Sequence, residues 1–299
     1  MGRKKVYLIG GVALAINGYP NTVCRLHNSN EGFFEVTIGG VARNVAYHLA
    51  KYDFADVHLV SCIGTDDYRS KIIREDCWKN NILTDHFLFA DRPSASYISI
   101  FDEDFDLVTG ISSMNIIHEM TPDYFGGLLP VLNGGDLVLI DSNVSPESIQ
   151  FLLEHLTVPS YYEPVSVAKS RCIGKNVGLC HTIKANRFEA AQISGCSCDT
   201  ERGAYRAAEW FMNEGVQQLF ITLGSDGVLY STPDTCGIIE GEKVEVADSS
   251  NAGDCLSAGV IYSMLQGKSA EECARFGNHQ AALFCQSKIG RDYHYNILD

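Results

Sequence analysis

The sequence predicts an α/β protein built on a mostly parallel sheet with helices on both faces. Three observations predict it. Short, nearly continuous apolar runs recur along the chain, as in strands covered on both sides. Between them, apolar residues fall at helical spacing. The chain has 299 residues, 45% hydrophobic and 20% charged, enough for a large core without disulfide or metal staples.

Val6 to Ile9 is the first apolar run, and it ends in the turn Gly10-Gly11. Phe33 to Ile38 alternates as a half-buried strand does, and Gly39-Gly40 breaks it. From Val41 the pattern turns helical, with Val41, Val45 and Leu49 beside Ala42, Ala46 and Ala50. Val57 to Ile63 reads as a strand buried on both faces, Asp66 to Asn80 as a helix and Leu83 to Phe89 as a strand. Ser94 to Phe101 and Leu107 to Ile111 alternate around Asp102-Glu103-Asp104, which predicts an exposed hairpin. The second half repeats the rhythm: strand Leu137 to Ile140, a helix from Pro146, strand Val158 to Tyr162, helix Thr200 to Asn213 and strand Leu219 to Leu223. A glycine-rich hairpin region then runs to Val246, and helices Gly253 to Leu265 and Ala270 to Cys285 close the chain. No repeat or linker splits it, so residues 1–299 read as one domain. The alternating pieces depart from the strand–helix rhythm and predict a small β-layer lid, inserted at about 12–39 and 92–112.

The charge balance, 23 basic against 37 acidic residues for a net −14, argues against binding nucleic acid or an anionic membrane. The 11 cysteines contain no CxxC, and no apolar run approaches the ~18 residues of a membrane span. The expectation is a cytoplasmic protein with reduced thiols. Gly267-Lys268-Ser269 ends like a P-loop, but Tyr262 stands where the first glycine belongs.

Four stretches can carry chemistry. Asp248-Ser-Ser-Asn-Ala-Gly-Asp254 runs into an apolar-periodic helix. Free N–H groups and the helix dipole there would stabilise a phosphoryl group in transit, with Asp254 in reach as a general base. Plain capping by Ser250 or Asn251 accounts for the same residues. In Gly39-Gly40-Val-Ala-Arg-Asn44, glycine allows a ligand close to the backbone, and Asn44 can donate to and accept from a polyol; an ordinary strand–helix turn would look alike. In Lys184-Ala-Asn186-Arg-Phe-Glu189, Asn186 and Glu189 share one side of a helical turn and could hold a hydrated Mg²⁺, or form a relative of the capping box. Thr222-Leu-Gly224-Ser-Asp-Gly227 is a glycine-rich turn, open to a nucleotide or simply a hairpin.

In this order the four stretches resemble the ribokinase-like carbohydrate and nucleoside kinases of the PfkB family, over essentially the whole chain. Gly39-Gly-Val-Ala-Arg-Asn-Val-Ala46, Glu163-Pro-Val-Ser-Val-Ala-Lys169, Thr182-Ile-Lys-Ala-Asn-Arg-Phe-Glu189 and Leu223-Gly-Ser-Asp-Gly-Val-Leu-Tyr230 are similar to its pseudouridine kinases. The resemblance implies a three-layer αβα ribokinase-like fold and ATP-dependent phosphorylation of a 5′-hydroxyl. Asp254 would be the base, and the backbone of Asn251, Ala252, Gly253 and Asp254 the anion hole. Gly40, Asn44, Ser96 and Lys169 would hold the substrate. Asn186, Thr222, Gly224, Gly227, Gly253 and Asn278 would line the nucleotide side. Glu189 would act on Mg²⁺ through water, and Asp248 and Ser250 would border a K⁺ site. The resemblance also implies a lid that closes over the sugar and makes a homodimer contact.

The chain departs from the family pattern at the sugar clamp (Ala13 and Ala15), at the anion-hole turn (Asn251) and at two minor positions (Ala185 and Glu163). Ala13 and Ala15 stand where the family carries Asn and Asp, Asn251 replaces a glycine, Ala185 a proline and Glu163 an aspartate. Losing the carboxylate should cost about 1.5–3 kcal/mol per charged hydrogen bond. A kinase of another nucleoside or sugar, and an inactive nucleotide-binding relative, are therefore the competing readings.

Overall fold

The computed structural model describes residues 2–104, 106–245 and 251–286. Its first half runs β1 (Lys4–Ile9), β2 (Ala13–Pro20), β3 (Gly32–Gly39), α1 (Val41–Ala50), β4 (Ala55–Val60), β5 (Cys62–Gly64), α2 (Tyr68–Lys79), β6 (Leu88–Ala90), β7 (Ser96–Phe101), β8 (Leu107–Ser113), α3 (Pro122–Leu132) and β9 (Leu137–Asp141). The second half runs α4 (Pro146–His155), β10 (Ser160–Glu163), β11 (Thr182–Asn186), α5 (Arg187–Ser194), α6 (Glu201–Glu214), β12 (Gln218–Thr222), β13 (Val228–Ser231), β14 (Cys236–Ile239), α7 (Ala252–Leu265) and α8 (Ala270–Gln286).

An eight-stranded sheet orders these as β14-β13-β12-β11-β10-β9-β1-β4, and only β13 and β14 run antiparallel to their neighbours. The apolar runs are explained by the layers on either side. Along β1, Tyr7 and Ile9 join one core and Val6 and Leu8 the other, because successive side chains leave opposite faces of a strand. Phe125 of α3, Leu152 of α4 and Phe211 of α6 fill the first core; Leu49 of α1, Ile73 of α2 and Val260 of α7 fill the second. Buried Arg43 of α1 grips Asp76 of α2 with a shortest contact of 2.6 Å.

The inserted β-layer is a separate sheet, ordered β3-β2-β7-β8. β2 was not foreseen: Ala-Leu-Ala-Ile-Asn-Gly-Tyr-Pro alternates weakly, but pairing with β3 on one edge and β7 on the other holds it extended. Three expected strands are corrected. Val57 to Ile63 is two strands, because the Ser61 hydroxyl donates to the Gly10 carbonyl and Cys62–Gly64 leaves to pair with β6. Leu83 to Phe89 shrinks to β6 plus one bridge from Leu83 to His58. The strand expected from Val158 begins only at Ser160, after Pro159, which has no N–H for a ladder. The sequence pattern also missed α3, capped by Thr121 with Pro122 in its first turn. Among the described residues no helix is long and apolar enough to cross a membrane, and the eleven cysteines are free.

Candidate active site

The parallel strands deliver polar residues to one edge of the sheet. Asp141 ends β9, Glu163 ends β10, Asn186 ends β11 and Thr222 ends β12. Ligands of open α/β sheets bind at such carboxyl ends, where the chain switches direction across the sheet; here β1 is flanked by β4 and β9.

The first turn of α7 faces this edge. Asn251 stands before it in the left-handed conformation, φ 63°, which an Asn side chain tolerates better than most. The N–H of Asp254 donates back to the Asn251 carbonyl at 3.0 Å. Among the described residues the N–H groups of Ala252 and Gly253 have no acceptor, as expected of the first turn of a helix. The Asp254 carboxylate is buried and accepts from the Asn44 amide at 2.9 Å, and the same amide nitrogen lies 3.2 Å from Asn251 Oδ1. Residues 210 apart in sequence thus meet at one carboxyl oxygen. Asn44 reaches it because α1 starts at Gly40, whose φ is 109°. A Cβ there would stand 2.2 Å from the Gly11 carbonyl oxygen, so only glycine lets the chain turn this tightly. Asp141 pins the same junction by accepting from the N–H groups of Gly11 at 2.9 Å and Ala42 at 3.0 Å.

Burial pushes the Asp254 carboxyl up to about 6, against the pull of Lys184 and the Asn44 hydrogen bond, while Asp141 and Glu189 add to the rise. Lys184 is the buried cation that acts on it among the described residues. Burial lowers its ammonium, but Glu163, Asp254 and Glu189 outweigh that and hold it above the ordinary lysine range. Lys184 Nζ donates to Glu163 Oε2 at 3.2 Å, and the Ser257 hydroxyl donates to the other Glu163 oxygen. Burial pushes the Glu163 carboxyl up while Lys184 pulls it back.

A cleft of about 700 Å³ opens beside the α7 turn. Thr222, Gly224, Gly227, Gly253 and Asn278 all line it, together with Ala252 and Leu256, so five residues named for the nucleotide side converge on one cavity. Gly224 and Gly227 both take positive φ, and the Asn278 amide holds the Glu240 carbonyl at 3.1 Å. Asn186 is outside that lining. It caps α5, accepting from the N–H groups of Phe188 and Glu189, while Glu189 Oε2 accepts from the Asn186 N–H at 2.8 Å. The capping box foreseen as the alternative is therefore formed, and one Glu189 oxygen stays free of it. Such a donor set fits a hydrated Mg²⁺ held through water, since this ion keeps its own waters and needs few protein ligands. Among the described residues no group of three His, Cys, Asp or Glu side chains is arranged to hold a metal.

Of the residues expected to hold the substrate, Lys169 donates through Nζ to Asn143 Oδ1, and Asn143 packs on Gly11 at the root of β2. Ser96 pairs with Leu14 and therefore shares the Leu14 face of the second sheet, whereas Tyr97 pairs with Ala15. Ser96 thus points away from the face that Ala13 and Ala15 occupy, and its hydroxyl is buried with no partner among the described residues. Asp248 and Ser250 lie outside the described residues.

Sequence reasoning missed Lys184, Glu163, Ser257 and Asp141 as members of the site. Glu163 and Lys184 are 21 residues apart, and the parallel register of Tyr162 against Ile183 sets the next residues of β10 and β11 side by side. A buried-strand lysine two residues before the α5 cap was the only local signal.

The profile of the pfkB family carbohydrate kinases matches residues 4–292. The chain is 28% identical to the pseudouridine kinase of Escherichia coli, over 94% of this chain and 91% of that one. It is 24% identical to the ribokinase of Haemophilus influenzae, over 85% of this chain and 83% of that one. The fold superposes on Arabidopsis thaliana ribokinase complexed with ribose and ATP with a TM-score of 0.82 at 18% identity, covering 96% and 94% of the two chains.

Proposed function

The chain belongs to the pfkB family of carbohydrate kinases, ATP-dependent phosphotransferases with an alcohol acceptor, and from that premise we propose that it phosphorylates the 5′-hydroxyl of pseudouridine. The observation that carries the reading is the buried Asp254 carboxylate, held by Asn44 in the first turn of α7 beside the cleft. Asp254 takes the proton of the attacking hydroxyl. The free N–H groups of Ala252 and Gly253, at the positive end of α7, bind the γ-phosphate. The nucleotide lies in the cleft along Thr222, Gly224, Gly227 and Asn278. Glu189, with Asn186, bears on the Mg²⁺ of MgATP through water, and Asp248 and Ser250 border a K⁺ site. Gly40, Asn44 and Lys169 hold the acceptor. The similarity to the Escherichia coli pseudouridine kinase supports this acceptor.

A second reading, another nucleoside or a ribose-type sugar, is favoured by Ala13 and Ala15, which leave two positions of the second sheet without a polar side chain. An inactive nucleotide-binding relative is the third. The deciding experiment is an ATP/Mg²⁺ assay with mass detection on pseudouridine, uridine, cytidine, adenosine, inosine, ribose and fructose 6-phosphate. A phosphate adduct on pseudouridine alone supports the first reading. An adduct on another compound selects the second, and none, with ATP binding intact, the third.

We also infer a homodimer through the second sheet. Ile98 and Ile111 pair across β7 and β8, so they share one face with Ile100, and all three are exposed. This is the face opposite Ala15 and Tyr97. The free cysteines and the absence of a membrane-length helix among the described residues support a cytoplasmic location.

A further inference from the structure

We infer that the Lys184 ammonium is a side-chain ligand of the transferring phosphoryl group, held in place by Glu163 and Ser257; the inference rests on the phosphotransfer reading above. Lys184 is only 6% exposed. Its ammonium carries three protons, yet its single hydrogen-bond partner among the described residues is Glu163 Oε2 at 3.2 Å. Glu163 is not short of partners, because Ser257 occupies its second oxygen. The surplus of the pair is therefore on the cation: buried donor protons with no acceptor among the described residues.

The position of the ammonium says which acceptor would use them. A Cβ on Gly253 would stand 2.9 Å from Lys184 Nζ, so the missing side chain lets the ammonium rest against the backbone of the α7 turn. The free N–H groups of Ala252 and Gly253 and the positive end of α7 lie at the same place, beside the cleft. A buried ammonium and a helix N-terminus converge there on one point, and the carboxylates around the ammonium, Glu163, Asp254 and Glu189, leave its remaining protons and the backbone N–H groups to a further acceptor. A terminal phosphate carries the charge and the oxygens to meet both. Glu163 balances the ammonium while the site is empty, and Ser257 fixes Glu163 from the next turn of α7.

In the transfer, the acceptor oxygen bonds to the γ-phosphorus, the bond from that phosphorus to the β,γ-bridging oxygen breaks, and the hydroxyl proton goes to Asp254. Lys184 keeps its proton throughout and follows the charge on the equatorial oxygens.

The test compares wild type, Lys184→Met, Lys184→Arg and the double variant Glu163→Gln/Lys184→Met. MgATP and MgADP affinities are measured by calorimetry, and kcat on the acceptor found in the panel. In Lys184→Met the ratio of MgATP to MgADP affinity should fall about tenfold or more, the worth of a charge-assisted hydrogen bond. MgADP affinity should hold, and kcat should fall roughly 10²–10³-fold. Lys184→Arg should recover part of the ratio. The double variant carries no unpaired buried charge and serves if the single one does not fold; it should remain as defective. An unchanged MgATP to MgADP ratio in Lys184→Met, or its return in the double variant, overturns the proposal and leaves Lys184 a structural partner of Glu163. Failure of the wild type itself to bind MgATP removes the phosphotransfer reading and this proposal with it.

Discussion

Asp254→Asn should make this protein more stable at neutral pH while abolishing its turnover. Asparagine keeps the size of the side chain and an oxygen for the Asn44 amide, and removes only the charge. The carboxyl is 8% exposed, and burial raises it from 3.8 to about 6. At 1.36 kcal/mol per tenfold change, holding the ionised group in the fold costs about 3 kcal/mol. The unfolded carboxyl ionises near 3.8 and the folded one near 6, so between those values the native state binds the extra proton. Wild-type stability therefore falls as pH rises through that window and levels off above it. The variant lacks this loss, so its advantage should be small near pH 4 and reach about 3 kcal/mol at pH 8. Urea unfolding at the two pH values, followed by fluorescence of Trp78 and Trp210, measures it. In the same preparation MgATP affinity should be retained and turnover lost, because the base is gone and the cradle remains. A variant less stable than wild type at pH 8, or one with wild-type turnover, would overturn this account of Asp254. The same rise places the acid limb of the wild-type kcat/KM profile near pH 6, below which the base is protonated.

Two other outcomes are expected. Arg43→Met leaves Asp76 buried and unpaired between α1 and α2, and should cost about 3–5 kcal/mol in urea unfolding, most of it recovered in Arg43→Met/Asp76→Leu. Ile111→Asp, on the outward face of the second sheet where this residue is 69% exposed, should convert a dimer to a monomer in sedimentation equilibrium; a wild type that sediments as a monomer would end the dimer inference.

Much of the architecture was legible because the inner strands of the main sheet, such as β9, are covered on both faces, which writes an unbroken apolar run into the sequence. The helices between them carry their own period, as α1 and α6 do. Where the chain leaves that rule the pattern faded. β2 has weak alternation and is held by its neighbours, and Val57 to Ile63 reads as one strand although Ser61 breaks it between two sheets. The site was legible in pieces: a glycine pair before Asn44, a small-residue turn before Asp254, a glycine-rich turn after β12. Each piece has a bland explanation, and for Asn186 and Glu189 the bland one, a capping box, is what forms.

Local sequence was enough for the layer plan and for the place of Asp254 in the first turn of its helix, because these depend on neighbours within a few residues. Packing between distant segments brings the Asn44 amide to Asp254 across 210 positions, and β10 and β11 set Glu163 beside Lys184. Pairing of β2 with β7 likewise sets Ser96 and Tyr97 to face opposite ways. Parallel register and helix packing set those contacts, and neither is encoded in the spacing of any one segment. Burial, which raises Asp254 and leaves Lys184 short of partners, exists only once the layers have closed.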